Sequence, residues 1–128
     1  MESGRVRGVK VWFDGGCRPN PGVITTAVLA GGHVWLRRDH GHGDNADAEW
    51  LAALDALALA RDLALTDVVL LGDSAMVVAH VRAGTVPARF GGYRARFAAL
   101  AAGFARVRVR HVRRGQNLAG IALDRGNA

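Results

Sequence analysis

The sequence predicts a mixed α/β domain: a five-stranded sheet in which three antiparallel strands precede two parallel ones, flanked by helices. Three observations support this prediction. An apolar strand leads into a hairpin, a helical segment separates the hairpin from an unbroken apolar run, and a later strand alternates arginine with valine. A right-handed crossover through the helix would make the first strand and the apolar run parallel neighbours. The 128 residues suit one domain, predicted over residues 1–128.

The first strand, Val9 to Phe13, ends on a carboxylate. Asp14 is followed by a glycine pair and by the turn 17–22, which carries two prolines. Glycines allow other backbone or a ligand to approach the strand end closely, and prolines restrict the turn. A carboxylate displayed at this point suits a hard cation such as Mg²⁺. The alternative is an aspartate that only opens a surface turn.

A hairpin and a long helix come next. Residues 23–30 and 33–38 form two strand-like segments around Gly31 and Gly32, as expected of a tight hairpin. Residues 45–65 have the composition of a helix, with Asn45 as its candidate N-cap.

Glu49 lies near the start of that helix, one residue too late to form a capping box with Asn45. It heads a stripe of small residues that lets a helix lie close against a sheet, made of Ala53, Ala56 and Ala60. Glu49 is therefore expected to point towards a strand terminus. The alternative is an acid that is present because it favours the helix dipole.

Asp73 follows the second predicted strand of the parallel pair. The apolar run Val68 to Leu71 is typical of a strand buried on both faces. Gly72 and Asp73 end the run, and a helix is predicted from Ser74 to Val81. The alternative role for Asp73 or Ser74 is simple N-capping of this helix.

The rest of the chain predicts two helices with a strand between them. Residues 94–104 form the first helix after a break at Gly91 and Gly92, and residues 116–125 form the second. The strand alternates Arg106, Arg108 and Arg110 with Val107, Val109 and His111.

One face of this strand is cationic, and Arg113 and Arg114 extend it towards Asn117. The net charge is +6, and nearly all the positive charge is arginine, whose planar group matches phosphate. The sequence thus predicts a phosphate-binding track beside the acidic residues. The alternative is an edge strand that its charges protect from aggregation.

The predicted topology places Asp14 and Asp73 at the same ends of neighbouring parallel strands, where ligands of such sheets bind. Glu49 is directed at the same place. Three carboxylates that converge repel one another unless a cation or protons are taken up. Two divalent ions at such a site can hold the attacking and leaving oxygens of a phosphodiester.

In these motifs the chain resembles type 1 ribonuclease H in its short form. The matching segments are Asp14 to Gly22, Asn45 to Glu49 and Gly72 to Ser74, in this order. The resemblance implies an enzyme that cuts the RNA strand of RNA–DNA hybrids with two Mg²⁺ ions, for which Mn²⁺ can substitute. It also implies that Asp14, Glu49 and Asp73 bind the metal ions, and that Cys17, Asn20 and Asn45 contact the hybrid.

The chain departs from the family at a fourth site position. The family usually carries an aspartate four residues after an asparagine of the last helix, whereas this chain has Ile121 four residues after Asn117. Asn117 is the favoured replacement ligand, because its amide oxygen would lie near the site. Asp124 and a site without any fourth ligand are the alternatives. The family's histidine-bearing loop and its basic helical protrusion are also missing, and His111 is considered only as a packed or catalytic residue.

Composition limits the remaining possibilities. No apolar run is long enough to span a membrane, and no signal-peptide pattern is present. With the lone Cys17, this predicts a cytoplasmic protein, expected to be a monomer. The histidines of segment 39–44 lack cysteine partners, so we predict a loop and no zinc site. Two other functions stay open: a nucleic-acid binding module with weak or no activity, and a metal-dependent nuclease with another substrate.

Overall fold

The protein is described by a computed structural model, which covers residues 8–126. The strands are β1 (Val9–Cys17), β2 (Gly22–Ala30), β3 (His33–Arg37), β4 (His42–Gly43), β5 (Asp67–Gly72) and β6 (Arg106–His111). The helices are α1 (Asn45–Asp62), α2 (Ala75–Ala83), α3 (Gly91–Ala101) and α4 (Leu118–Gly126).

Five strands form a sheet in the order β3-β2-β1-β5-β6. Strand β2 is antiparallel to both β1 and β3, whereas β5 is parallel to both β1 and β6. This confirms the predicted mixed sheet. The two-residue strand β4, which pairs with β2, was not predicted because it carries no periodic pattern. That residues 1–128 form one domain stays a prediction.

The β2–β3 hairpin turns at Gly31 and Gly32, as predicted. Both residues have positive φ, 57° and 79°, which glycine adopts without steric cost. Two such residues in succession match the turn that suits the right-handed twist of a hairpin.

Helix α1 packs against the sheet through its alanine stripe. Ala53, Ala56 and Ala60 are all fully buried. The helix approaches β1 so closely that a Cβ on Gly15 would lie 2.1 Å from the carbonyl oxygen of Ala48. Glycine at position 15 is therefore required for the contact that sets α1 beside the end of β1.

The predicted N-cap of α1 is wrong. The cap is Asp44, which accepts a hydrogen bond from the backbone N–H of Asp47, while the Asp47 carboxylate accepts one from the N–H of Asp44. This reciprocal pair makes Asn45 the first residue inside the helix. The helix also ends at Asp62, before the predicted Leu65, and Ala64 then takes a left-handed conformation with φ 60°.

The other helices also differ from their predicted bounds. Helix α2 runs over Ala75–Ala83 and not from Ser74 to Val81, because Ser74 is its N-cap. Helix α3 begins at Gly91, where a break was expected, because buried Phe90 in the preceding 3-10 turn leads the chain directly into it. Helix α4 begins at Leu118, two residues later than predicted, because residues 114–116 form a separate 3-10 turn. None of the described helices combines the length and apolarity that a membrane crossing requires.

The two faces of the sheet are covered unequally. The larger cluster of buried side chains, around Trp50, Leu57 and Leu70, includes the residues of α1. On the other face α4 packs against β1 and β2, where Ala119 and Leu123 contact Ala27. Asp14 pairs with Ala27 across the β1–β2 ladder, so its side chain lies on the α4 face.

Candidate active site and metal centre

Asp14 and Asp73 lie where the parallel pairing of two adjacent strands stops. Strand β1 does not end at Phe13 as predicted but continues to Cys17 through its pairing with β2, so Asp14 lies within β1, while Asp73 directly follows β5. The last paired residues of β1 and β5 are Trp12 and Leu71, and each aspartate lies two positions beyond its strand partner. Both carboxylates are shielded from solvent: Asp14 is 4% exposed, and the side chain of Asp73 is 8% exposed. The Oδ2 atom of Asp73 is buried and has no hydrogen-bond partner.

Glu49 is directed to the same strand ends by α1. Its Oε2 atom accepts a hydrogen bond of 2.7 Å from the hydroxyl of Ser74. Ser74 also caps α2, because its oxygen accepts a hydrogen bond from the backbone N–H of Val77. The sequence suggested only capping for Ser74. A hydroxyl that caps one helix and also orients an acid on another is not evident from sequence, since the partner is 25 residues away.

Burial and mutual repulsion govern the charges of these acids. Burial, reinforced by the charges of Asp73 and Glu49, raises the pKa of Asp14 to about 7. Burial also raises the pKa of Glu49, and the charge of Asp73 adds to this increase, whereas the hydrogen bond from Ser74 opposes it. The positive charge of Arg114 lowers both pKa values but does not cancel the effect of burial. Asp14 and Glu49 therefore have too little positive charge nearby to offset the effect of their burial.

A cavity of about 170 Å³ opens at Asp14 and Glu49. We call it the carboxylate pocket. Its lining residues are Asp14, Gly15, Gly16, Cys17, Arg18, Asn45, Glu49, Arg114, Leu123 and Asp124. Arg114 lies at its rim, with a guanidinium nitrogen 3.8 Å from Oδ2 of Asp73.

Asn117 is fully buried and does not line the carboxylate pocket. Its amide nitrogen donates a hydrogen bond of 3.0 Å to the carbonyl oxygen of Phe13. Its amide oxygen accepts one from the backbone N–H of Ala119, which caps α4. These contacts tie α4 to the end of β1. Metal ligation by Asn117 stays a prediction, and these contacts favour a structural role for this residue.

Asp124 lines the carboxylate pocket, together with Asp14 and Glu49. Its side chain is 52% exposed and lies between two arginines, 3.6 Å from Arg18 and 4.0 Å from Arg114. The Cα of Gly120 faces Asp14, since a Cβ built there would lie 3.2 Å from Oδ2 of Asp14. Helix α4 thus brings an acid to the pocket one turn beyond the position at which the family carries its aspartate.

The predicted substrate contacts Cys17, Asn20 and Asn45 are brought together beside the pocket. The amide oxygen of Asn45 accepts from both the backbone N–H and the thiol of Cys17, at 3.2 and 3.4 Å. The amide oxygen of Asn20 accepts from the backbone N–H of Asn45 at 3.1 Å. Burial raises the pKa of the Cys17 thiol, so this side chain is a neutral neighbour and no nucleophile.

The arginines predicted to bind phosphate differ in their position relative to the pocket. Strand β6 is an edge strand, in agreement with the alternative interpretation of its charges. Arg113 and Arg114 are both exposed, and Arg114 reaches the pocket. His111 pairs with Gly72 in the β5–β6 ladder and is exposed, so it is not a packed residue. Arg18, at the pocket wall, was overlooked because its position in a proline-rich turn gave no periodic signal.

The residues fit a hard divalent cation better than any other metal. Within residues 8–126, no three histidine, cysteine, aspartate or glutamate side chains are placed so that one metal ion could bind all of them. The histidine segment is no exception, since His40 pairs with Asp55 at 2.9 Å. However, carboxylate oxygens line the pocket, and an oxygen of Asp73, beside Arg114 at the rim, has no hydrogen-bond partner. Carboxylate oxygens are the donors that Mg²⁺ prefers.

Fold and site together define a protein of the ribonuclease H type. The chain belongs to the reverse transcriptase-like family, whose sequence pattern it matches over residues 23–123. This match includes Glu49 and Asp73 but begins after Asp14. Among curated protein sequences, no significant match is found.

Solved structures agree with this assignment. RNase H1 from the halophilic archaeon Halobacterium salinarum NRC-1 superimposes with a TM-score of 0.79 and 28% identity, over 90% of this chain and 92% of that one. The N-terminal RNase H domain of Rv2228c from Mycobacterium tuberculosis gives 0.76 and 24%, over 96% and 100%. LC11-RNase H1, found in compost by a metagenomic approach and solved in complex with an RNA/DNA hybrid, gives 0.75 and 20%, over 94% and 99%. These matches confirm the resemblance to type 1 ribonuclease H; the last two, because of their low identity, show the fold alone.

Proposed function

We propose that this protein is a metal-dependent endonuclease that hydrolyses the RNA strand of RNA–DNA hybrids. The observation that carries the proposal is the pair of shielded carboxylates, Asp14 and Asp73, which lie side by side just beyond the paired part of two adjacent parallel strands. An oxygen of Asp73 has no hydrogen-bond partner. The likeness to an RNase H1 that binds an RNA/DNA hybrid supports the substrate class.

In this proposal Asp14, Glu49 and Asp73 hold Mg²⁺, with Mn²⁺ as a substitute. When bound, two such ions would supply an activated water and stabilise the leaving oxygen of the phosphodiester. Ser74 keeps the Glu49 carboxylate turned towards the site through its hydrogen bond. Asp124 takes the fourth position, because it lines the pocket, whereas both polar atoms of the Asn117 amide are engaged in hydrogen bonds within the protein. Ligation by Asn117 is then the competing assignment.

The asparagines next to the pocket suit recognition of RNA. Asn20 and Asn45 use their amide oxygens in contacts within the protein, while no described residue accepts a hydrogen bond from their amide nitrogens. Both residues are exposed, so these nitrogens can donate to ribose hydroxyls or to the backbone. Arg113 and Arg114 would then contact phosphates at the rim of the pocket.

The test compares four labelled substrates of one sequence: RNA–DNA hybrid, duplex RNA, duplex DNA and single-stranded RNA, each with Mg²⁺, Mn²⁺ or EDTA. We expect metal-dependent cleavage of the RNA strand in the hybrid, with duplex DNA left intact. Equal cleavage of duplex DNA would indicate a nuclease of different specificity. Hybrid binding without cleavage by either metal would indicate a binding module. The cytoplasmic location and the monomeric state stay predictions.

A further inference from the structure

A second cavity lies next to the carboxylate pocket, with a volume of about 310 Å³. Its lining residues are Gly16, Cys17, Arg18, Val23, Thr25 and Arg38. Three of them, Gly16, Cys17 and Arg18, also line the carboxylate pocket, so one wall separates the two cavities. A ligand held in one cavity can therefore continue into the other.

The strand register places this cavity on the same face of the sheet as Asp14. Asp14 pairs with Ala27, and Gly16 pairs with Thr25. The two pairs are two residues apart, which corresponds to about 7 Å along a strand. Residues two apart in a strand share a face, so Thr25 lies on the face that carries Asp14, just beyond the end of α4.

The two cavities differ in charge. The first is lined by three acids, Asp14, Glu49 and Asp124, together with two arginines, whereas the lining of the second contains two arginines and no acid. The hydroxyl of Thr25 donates a hydrogen bond of 3.2 Å to the backbone carbonyl oxygen of Arg38, which fixes the point where the Arg38 side chain starts. Arg38 is therefore presented from an ordered strand end, and half-exposed Val23 adds an apolar wall.

Arg18 can serve the second cavity when a ligand is present. In the protein alone it lies 3.6 Å from Asp124, and both side chains are more than half exposed. Exposed ion pairs of this kind contribute little free energy, typically less than about 1 kcal/mol. A phosphate group can therefore compete for Arg18, and its departure would leave Asp124 more open to a cation in the carboxylate pocket.

We propose that Arg18 and Arg38 form a subsite for a backbone phosphate of the nucleic acid, one or two nucleotides from the phosphate that is cut. This inference rests on the proposed function for the identity of the nucleic acid. The ligand chemistry is a phosphodiester, which two guanidinium groups bind through charge-assisted hydrogen bonds.

The test measures how the affinity of the whole chain for an RNA–DNA hybrid depends on salt, in EDTA so that no cleavage occurs. Arg38→Gln is expected to weaken binding at low salt several-fold. It should also make the slope of log affinity against log salt less negative by about one, the loss of one phosphate contact. Arg38→Lys should keep the slope but lose part of the affinity, because lysine cannot bind phosphate in a bidentate way.

Arg37→Gln is the matched control. Arg37 is the preceding residue on β3, and it lines a different cavity together with Asp55 and Asp62. This variant removes the same charge from the other face of the sheet, and thermal melting of each variant confirms that it folds. A slope for Arg38→Gln equal to that of Arg37→Gln, with wild-type binding and cleavage intact, would overturn the subsite alone. A slope change at Arg38 in a protein that binds hybrid but does not cut it would support the subsite and refute the endonuclease.

Discussion

Two groups of acids lie close to the first turns of α1, and their surroundings are opposite. Asp44 and Asp47 form the capping group, in which each carboxylate accepts hydrogen bonds from within the protein. Arg89 donates to both, and the hydroxyl of Tyr93 donates to Asp47 at 3.0 Å. The hydrogen bond from Arg89 lowers the pKa of Asp44. In the carboxylate pocket, burial raises the pKa of Asp14. At the rim of this pocket, beside Arg114, an oxygen of Asp73 has no hydrogen-bond partner.

The difference separates a structural role from a functional one. The acids of the capping group already have hydrogen-bond and ion-pair partners within the protein, so they stabilise the folded protein without a ligand. The carboxylate pocket is incomplete, because its buried negative charges meet one exposed arginine at 3.8 Å. Burying charge without a partner costs free energy, and a cation bound in the pocket would offset that cost. Each prediction below tests whether the two groups differ in this way.

The largest expected effect is on hydrolysis. Asp73→Asn should lower the rate of hybrid cleavage by more than about 100-fold, since removing even an outer partner of a metal ligand often costs 10–100-fold. Hybrid binding in EDTA should remain measurable, because the substituted group contacts metal and not nucleic acid in this proposal. The measurement is single-turnover cleavage at saturating protein with Mg²⁺.

Asp62→Asn is the matched control for that variant. Asp62 is exposed at the end of α1, and among residues 8–126 its one ion pair is with the neighbouring Arg61, at 3.3 Å. The Asp62→Asn variant removes the same charge at a distance from the pocket, and it should cleave the hybrid like the wild type. If Asp73→Asn turned over at a rate near that of Asp62→Asn, Asp73 would have no part in metal-dependent hydrolysis.

Sequence reasoning succeeded where a regular pattern coincided with the chemistry. The apolar run before Asp73 and the alanine stripe after Glu49 fixed the strand and the helix face, so the meeting of these acids could be predicted. The capping group was missed because Asp44, Asn45 and Asp47 are all good residues for a helix start. The reciprocal hydrogen bonds between Asp44 and Asp47 identify the cap, and Arg89 and Tyr93, more than 40 residues away, donate further hydrogen bonds to this pair.

The residue at the fourth site position was harder to predict from the sequence, because the position of a residue along a helix does not show how deeply its side chain is buried. Asn117 was placed correctly at the start of α4, but its complete burial depends on the carbonyl of Phe13, 104 residues earlier. Asp124 was predicted only as the alternative to Asn117. The structure shows that the end of α4 also borders the pocket, since Leu123 and Asp124 both line it.

The second expected effect is on the pH dependence of stability. The pKa of Asp14 is raised in the folded protein, from 3.8 to about 7, so the folded state binds more protons than the unfolded state between these pH values. In EDTA, the free energy of unfolding should therefore fall as the pH rises from about 4 to 7. Asp14→Asn should remove most of this fall, leaving the smaller contribution of Glu49, whose pKa is also raised, and should raise stability at pH 8 by an amount on the order of a few kcal/mol.

Asp44→Asn is the contrasting variant, measured by urea denaturation over the same pH range. The pKa of Asp44 is lowered, so its contribution is present at neutral pH and lost as the pH falls through acid values. Asp44→Asn should lower stability at pH 7, the opposite sign to Asp14→Asn. Mg²⁺ at pH 8 should stabilise the wild type but have a much weaker effect on Asp14→Asn. Equal signs for the two variants would remove the distinction between the two groups of acids.

The smallest expected effect separates Asp124 from Asn117. Asp124→Asn should raise the Mg²⁺ concentration for half-maximal cleavage about tenfold, within the range for a weakened metal site, and should leave the melting temperature in EDTA nearly unchanged. Asn117→Ala should do the reverse, lowering the free energy of unfolding by about 1–3 kcal/mol because it leaves the buried Phe13 carbonyl and Ala119 N–H without partners.

Calorimetric titration with Mg²⁺ gives the metal affinity of each folded variant independently of cleavage. Normal affinity in Asp124→Asn together with weakened affinity in Asn117→Asp or Asn117→Ala would return the fourth position to Asn117. Normal affinity in all of them would mean that Asp14, Glu49 and Asp73 hold the metal alone.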